Sequence, residues 1–453
     1  MNTLPCILTI AGSDSGGGAG IQADIKTIAM NGGYAMSVIT ALTAQNSMGI
    51  TGIHAPDPEF VAWQLRAVLD DFPLAAAKTG MLFSGPIIAA VCDRLAAKTF
   101  PLVVDPVSVS QTGHQLLKDD AIAMLVERLV PLADVFTPNR PEAEVLTGLK
   151  IDTPADVRTA TARLQAMGAK AVLLKGGHFD GDRMIDWLAL PGAEPIALEQ
   201  PRIDTVHTHG TGCTLSSAIA TWLGRGYGVR EAVVAAQKYL NLALRAGFGP
   251  GRGAGPANHS VVLLRLQERE RIREDMGAAV RRLEHFDGMR RLLPEGVMHL
   301  VAALPWASGG EDVASLSGGV SCDAHGRPLV AGCPEFGASG DGAGTVLAAS
   351  AVRAELRFAA VLPLTEAVTA ALGRSGLGVA WFDRADAPEA ERGNAESLAA
   401  WGVRQVLSSS PAPQGIGAVC DFGGNGSVGA VRILGAEADE VLDRLEAVAD
   451  ALD

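Results

Sequence analysis

Short apolar strand patterns alternate with helical patterns through the first 175 residues, and that alternation limits the fold more than any other feature. Cys6–Ala11 reads as a buried strand, followed by a turn with Gly12, Gly16, Gly17, Gly18 and Gly20. Ile21, Ile25, Ile28 and Ala29 then recur at helical spacing until Gly32-Gly33 stops the run. Further strands are predicted at Ser37–Thr40, Ala76–Thr79, Leu102–Val104, Val135–Thr137 and Ala171–Leu174, with helices over 58–70, 85–97, 118–130 and 154–167. Alternation of this kind predicts an α/β fold, a doubly wound and mainly parallel sheet with helices on both faces. Ligands in such folds sit beyond the carboxyl ends of the strands.

Near residue 260 the pattern changes. The run RLQERERIR at 265–273 is densely charged, and Ile272, Met276, Ala279 and Leu283 form one apolar stripe along it. A solvated linker helix over 261–290 with one docking face is expected. It separates a first domain, 1–260, from a smaller α/β domain over 291–453. Strands are predicted there at Val379–Phe382, Val403–Leu407 and Ala418–Asp421, with a closing helix at Asp439–Leu452. A chain of 453 residues needs at least two cores.

Charge and cysteine usage exclude several functions. A net charge of −13 disfavours nonspecific binding of nucleic acid or an anionic membrane. The cysteines at 6, 92, 213, 322, 333 and 420 show no CxxC pair, so neither a zinc site nor a disulfide framework is predicted. No stretch approaches the roughly 20 apolar residues of a membrane span. The N-terminal residues lack the basic start of a signal peptide. A cytoplasmic protein is expected.

Polar clusters fall at the ends of the predicted strands. They are Gly12–Gly20 with Gln22 and Asp24, Gln45-Asn46, Asp105-Pro106, Asn139 with Glu142, and Lys175-Gly176-Gly177-His178. The most informative is Thr208-His209-Gly210-Thr211-Gly212-Cys213, which runs into a helix carrying Leu215, Ala218, Ile219, Trp222 and Leu223 on one face. Small residues at a helix start leave backbone N–H groups pointing outward, a ready anion site. A thiol in that first turn is also easily ionised. A glycine turn that only reverses the chain is the plainer alternative.

In order, TIAGSDSGGGAGIQADIKT, VITALTAQN, KTGML, DPV, TPNRPEA, LLKGGH and THGTGCTLSSA resemble the hydroxymethylpyrimidine and phosphomethylpyrimidine kinases, members of the ribokinase-like superfamily. The resemblance covers about 4–259. It implies ATP-dependent phosphorylation of 4-amino-5-hydroxymethyl-2-methylpyrimidine and then of its monophosphate, in thiamine biosynthesis, by a homodimer. It also implies roles for named residues. The amides of Gly210, Thr211, Gly212 and Cys213 would hold charge on the transferred group. Cys213 would be the general base, its pKa lowered by the helix N-terminus. Lys175 would neutralise ATP phosphates, with Thr208 beside them. Asp105, Asn139 and Glu142 would hold Mg²⁺ largely through water, with turn and cap chemistry as their alternative. Asp24 and Gln45 would read the pyrimidine, with Gly12, Met81 and Val107 packing on the ring; for Met81 and Val107 core packing is the alternative. His178 and His209 are expected to line the nucleotide site. A pyridoxal or sugar kinase is the rival reading.

The second domain resembles the thiamine-phosphate synthase domain found fused behind such kinases. The resemblance rests on LPEGVM at 293–298, DVA at 312–314, PEFGAS at 334–339, WFDR at 381–384, DFG at 421–423 and VRILG at 431–435. Two departures stand out. Gly319 occupies the place of a catalytic arginine, and Asp341 the place of a histidine. A glycine side chain cannot bind pyrophosphate, and an aspartate repels it. The domain is therefore expected to bind a thiamine-pathway phosphate without turnover, with Asp383, Arg384 and Arg432 as contacts. Retained synthase activity is the alternative reading of the domain, and a surface salt-bridge set the alternative for those three residues.

Overall fold

The structure is a computed structural model describing residues 4–107, 119–176, 183–424 and 427–452. Its contacts divide it into two units, Met1–Val262 and Leu263–Asp453. In the first unit the strands are β1 (Cys6–Asp14), β2 (Tyr34–Asn46), β3 (Gly49–His54), β4 (Leu74–Thr79), β5 (Leu102–Val104), β6 (Val135–Phe136), β7 (Ala171–Leu174), β8 (Arg183–Ala189) and β9 (Ile196–Pro201). They form one sheet in the order β3-β2-β1-β4-β5-β6-β7-β8-β9. The six central strands from β2 to β7 are parallel; β3, β8 and β9 join antiparallel.

Both faces of the parallel part are covered. Leu8 and Ile10 of β1 pack with Val61, Leu65, Ile87 and Leu164 from helices on one face. Ile7 points the other way, to Ile28, Leu215 and Ala218. Each such aliphatic side chain contributes about 1.5–3 kcal/mol when fully buried. This two-sided burial explains why β5, β6 and β7 read as continuous apolar runs. From β1 the chain winds outward to β2 and β3, then returns to β4 on the other side of β1. That reversal of direction opens a crevice at the carboxyl ends of β1 and β4.

Three expectations need correction here. In the helix Gly20–Met30, Ile21 and Ile28 are buried but Ile25 is 39% exposed. Asp24 and Thr27 are buried on the inward face instead, Asp24 with a polar partner there in Thr9. The helix expected over 118–130 runs as α-helix only through Asp119–Met124, then widens to a π-turn at Leu125–Leu129 and tightens at Val130–Leu132. In the second unit, Val403–Leu407 is helical, inside Ala395–Ser409. Ala399, Val403, Val406 and Leu407 lie on one face and are buried. Asn394 caps that helix by accepting the amides of Glu396 and Ser397.

The second unit holds β10 (His299–Ala303), β11 (Val313–Leu316), β12 (Gly319–Cys322), β13 (Pro328–Ala331), β14 (Pro334–Phe336), β15 (Phe358–Pro363), β16 (Val379–Trp381), β17 (Ala418–Gly424) and β18 (Ser427–Gly435). Seven form a sheet in the order β14-β11-β10-β15-β18-β17-β16, and β12 pairs with β13 as a separate hairpin. The helix Val261–Leu283 buries Ile272, Met276, Ala279 and Leu283 in this unit's core, with Leu292 and Leu445. Its charged face is tied by Arg282 to Asp443 and Glu446. No described helix is long and apolar enough to cross a membrane.

Candidate active site

At the crevice predicted by the strand order lies a cleft of about 570 Å³. Its wall comes from the ends of β1 and β2, from the segments that follow β4 to β7, and from the loop at 208–213. It brings together Gly12, Gln45, Met81, Asp105, Val107, Asn139, Glu142, Lys175, Thr208, Gly210, Thr211, Gly212 and Cys213. Of the described residues proposed from sequence for the first domain's site, only Asp24 lies outside that wall. His178 falls outside the described residues.

The anion loop is held by close backbone approach. Gly210 caps the helix Thr211–Gly224 with φ +78°, and no side chain caps the helix start. A Cβ on Gly210 would stand 1.9 Å from the Gly18 carbonyl oxygen, so only glycine lets the two loops touch. The first helical amides therefore face the cleft. Behind them, Thr214 donates to the Gly210 carbonyl and lies 3.0 Å from His259 Nε2.

Cys213 lines the cleft, but its thiol is not acidic. Burial pushes it up to about 11, against the opposing pull of Lys78 and the Gly20 amide. This corrects the expected lowering: loss of water outweighs the helix N-terminus. Cys213 therefore rests as a neutral thiol near pH 7.

Asp24 is also corrected. It is fully buried, and its carboxylate accepts from Thr9 at 2.6 Å, Ser217 at 2.7 Å and Lys78 at 3.0 Å and 3.1 Å. Lys78 is fully buried as well. Burial opposes its charge, but Asp24, Cys213 and Asp105 together hold its pKa above the usual lysine value. The pair lies inside the fold and anchors the helix of the anion loop through Ser217. Sequence reasoning missed Lys78, although a lysine inside the apolar strand LAAAKT signals a buried partner.

Lys175 Nζ lies 3.0 Å from Asp105 Oδ1, and Gly212 sits against both side chains. Burial works against the lysine charge, but Asp105 and Glu142 raise its pKa. The Lys175 backbone is pinned too, donating to Pro138 O and accepting from Arg140 N. Asp186 accepts the next amide, Gly176 N, and a hydrogen bond from Gln237. Asn139 and Glu142 form a capping box at the helix Arg140–Thr147, so cap chemistry and a place on the cleft wall coincide. Among the described residues no three His, Cys, Asp or Glu side chains converge as a metal cage. Val107 sits at the rim with φ +35°, a strained backbone for a β-branched residue.

Beside the anion loop, Asp14 organises the glycine loop. Its carboxylate accepts from the amides of Gly16, Gly18 and Ala19 and meets His209 Nε2 at 3.1 Å. Burial would raise its pKa, but the His209 contact and these amides hold it below the usual carboxylate value. His209 thus lines the cleft beside Asp14 and Gln45. A Cβ on Gly12 would lie 2.5 Å from Met81 Cε, so the glycine makes room for that side chain.

In the second unit Arg432 is 1% exposed and carries two ion pairs. It grips Asp341 with Nε and Nη2, and donates from Nη1 to Asp421 at 2.8 Å. Arg384 lies against Asp421 from the other side, and Asp383 accepts the Ala385 amide in a local cap. The expected ligand contact at Arg432 is corrected: its guanidinium is consumed by its own chain's carboxylates, and Asp341 neutralises it. Gly319 has φ +66°, and a Cβ there would meet Val297 at 2.4 Å.

Residues 14–258 match the family described as phosphomethylpyrimidine kinase, and 275–447 the one described as thiamine-phosphate synthase ThiN. A hydroxymethylpyrimidine/phosphomethylpyrimidine kinase of Streptomyces coelicolor is 48% identical over 261 residues, covering 58% of this chain and 96% of that protein. The thiamine biosynthesis bifunctional protein ThiED of Geobacter sulfurreducens is 49% identical over 264 residues, covering 58% of this chain. The match spans 54% of that relative's length. Among solved structures, Bacillus subtilis pyridoxal kinase in an ADP complex aligns with TM-score 0.53 at 34% identity, covering 58% of this chain and all of that one. Pyridoxal kinase from Staphylococcus aureus with AMP-PCP and pyridoxal aligns with TM-score 0.53 at 30% identity, covering 57% and 95%.

Proposed function

The chain belongs to the phosphomethylpyrimidine kinase family, and from that membership we propose how its first unit works. It is a kinase joined to a thiamine-phosphate-synthase-type domain. It transfers the terminal phosphoryl group of ATP to the hydroxymethyl oxygen of 4-amino-5-hydroxymethyl-2-methylpyrimidine, and then to the resulting monophosphate. The observation that carries this reading is the meeting of Lys175, Asp105 and the Gly210–Cys213 amides on one side of the cleft, with Gln45 and Met81 also in its wall.

Phosphoryl transfer asks mainly for positioning and charge neutralisation. Lys175 and the loop amides supply fixed positive charge where the transferred group passes. Asp105, with Asn139 and Glu142 near it, suits a Mg²⁺ held largely by water and phosphate oxygens. That ion would neutralise phosphate charge. Cys213 stands beside the attacking hydroxyl as a neutral thiol. A neutral thiol takes up no proton, so the hydroxyl proton passes to a phosphate oxygen of the transferred group or to water, and Cys213 contributes by position. Gln45 offers one donor and one acceptor to the pyrimidine edge.

We further propose that the second unit binds a thiamine-pathway phosphate without turnover. Gly319 brings no cationic side chain, and Asp341 is already bound to Arg432. Both support the loss of synthase chemistry, and a ligand must use residues other than Arg432. One experiment tests both proposals: full-length protein with Mg-ATP, the hydroxymethylpyrimidine and the thiazole phosphate, with products resolved by mass. Pyrimidine diphosphate without thiamine phosphate is expected. No phosphorylated pyrimidine would refute the first proposal. Thiamine phosphate above the uncatalysed background would refute the second.

A further inference from the structure

Two side chains compete for one ring nitrogen at the cleft wall. His209 Nε2 lies 3.1 Å from Asp14 Oδ2 and 3.3 Å from the amide end of Gln45. Three backbone amides converge on Asp14, from Gly16, Gly18 and Ala19. A carboxyl group that accepts three N–H bonds is ionised and has no proton to give. The imidazole must therefore carry its hydrogen on Nε2 and donate it to Asp14. An NH₂ group of Gln45 facing that nitrogen would set donor against donor.

The conflict disappears when the amide turns over, with its carbonyl toward His209 and its NH₂ toward Thr43. The hydrogen-bond network decides which end of the amide faces each partner. Thr43 agrees with this choice. Its hydroxyl donates its single hydrogen to Ser13 O at 2.9 Å, leaving the oxygen, 3.2 Å from the amide, to accept.

We propose that His209 is a positioning residue for substrate selection: by donating to Asp14 it determines which end of the Gln45 amide is donor and which is acceptor at the cleft wall. The proposal rests on the kinase function given above. A 4-aminopyrimidine presents an amino donor beside a ring-nitrogen acceptor. A 4-oxopyrimidine presents the reverse, a carbonyl beside a ring N–H. An amide held one way pairs with the first at both points and mismatches the second at both. Asp14 thus acts on the substrate edge through His209 and Gln45, without touching it.

Two measurements test this. In full-length protein labelled with ¹⁵N-histidine, the His209 ring is expected as the Nε2–H tautomer. In kinase assays, 4-amino-5-hydroxymethyl-2-methylpyrimidine is compared with its 4-oxo counterpart. Removing the ring frees the amide, so His209→Ala should lower the amino-over-oxo preference in kcat/KM by about 10- to 100-fold, with little change in KM for ATP. His209→Asn keeps a donor for Asp14 but is too short to hold Gln45 as well, and should lose the same preference with the glycine loop still held. An unchanged preference in both variants, or a bare Nε2 in the wild-type ring, overturns the proposal. A wild-type chain that phosphorylates neither pyrimidine overturns the kinase function instead, and the tautomer still decides the relay.

Discussion

His259 gives the protein a specific weakness to acid. The side chain is 3% exposed, its Nε2 is 3.0 Å from Thr214, and its carbonyl accepts the Tyr239 hydroxyl at 2.8 Å. Burial, helped by the nearby charge of Lys26, holds its pKa down to about 3 from an ordinary 6.5. In the unfolded chain the ring takes a proton below about 6.5, but in the folded protein only below about 3. The stability involved is therefore complete above about pH 6.5 and is lost as the pH falls through that window. The full difference is about 3.5 pKa units, or about 5 kcal/mol; at pH 5 about 2 kcal/mol is gone. The test compares wild type with His259→Gln, whose amide still donates to Thr214 but does not titrate. Denaturant unfolding at about pH 7.5 and pH 5 should show wild type losing about 2 kcal/mol more than the variant, since other groups cancel in the difference. Parallel losses, within about 0.5 kcal/mol, would refute the reasoning.

Further outcomes follow from the cleft. Gly210→Ala drives a Cβ into the Gly18 carbonyl, so phosphoryl transfer should fall by about 100-fold or more, the size of losing an aligned oxyanion donor. Initial-rate assays with ATP check this; near-normal kcat would sink it. Lys78→Met strands the Asp24 charge in the interior and should cost about 3–5 kcal/mol, with much of it recovered in the Asp24→Asn/Lys78→Met double variant. Denaturation of the two variants decides, and equal losses would count against the ion-pair account. The Cys213 thiol should alkylate slowly near neutral pH, its rate rising about tenfold per pH unit toward about 11. Mass spectrometry after timed iodoacetamide exposure reads this, and fast labelling at neutral pH would contradict it.

The parts of the fold legible in the sequence are those buried on both sides. β5, β6 and β7 are apolar at every position because helices cover both faces, so their runs stand out. β3, β8 and β9 flank that core, are half exposed and carry groups such as Arg183 and Asp186, so no apolar run marks them. Val403–Leu407 looks like a strand over five residues, and only the spacing back to Ala399 reveals the helix. The cleft residues were legible where a polar cluster ends a strand. Asp24 looked like one of them because its partner, Lys78, is 54 residues away and nothing local announces it. The Cys213 thiol was misjudged in sign because a helix N-terminus is visible in a sequence and the loss of water around it is not.

The contact between Gly18 and Gly210 also imposes an order on synthesis. The glycine loop near residue 18 and the helix that begins at Thr211 meet through Asp14–His209, Asp24–Ser217 and Asn31–Trp222, pairs 191 to 195 residues apart. A nascent chain that has emerged only as far as β7 already has its parallel strands, but Asp24 and Lys78 still lack Ser217 above them. Contacts of such sequence separation form late, because loop closure must come first. The cleft is therefore completed near the end of the first unit's synthesis, and a chain cut short before residue 217 should hold a sheet without an anion loop.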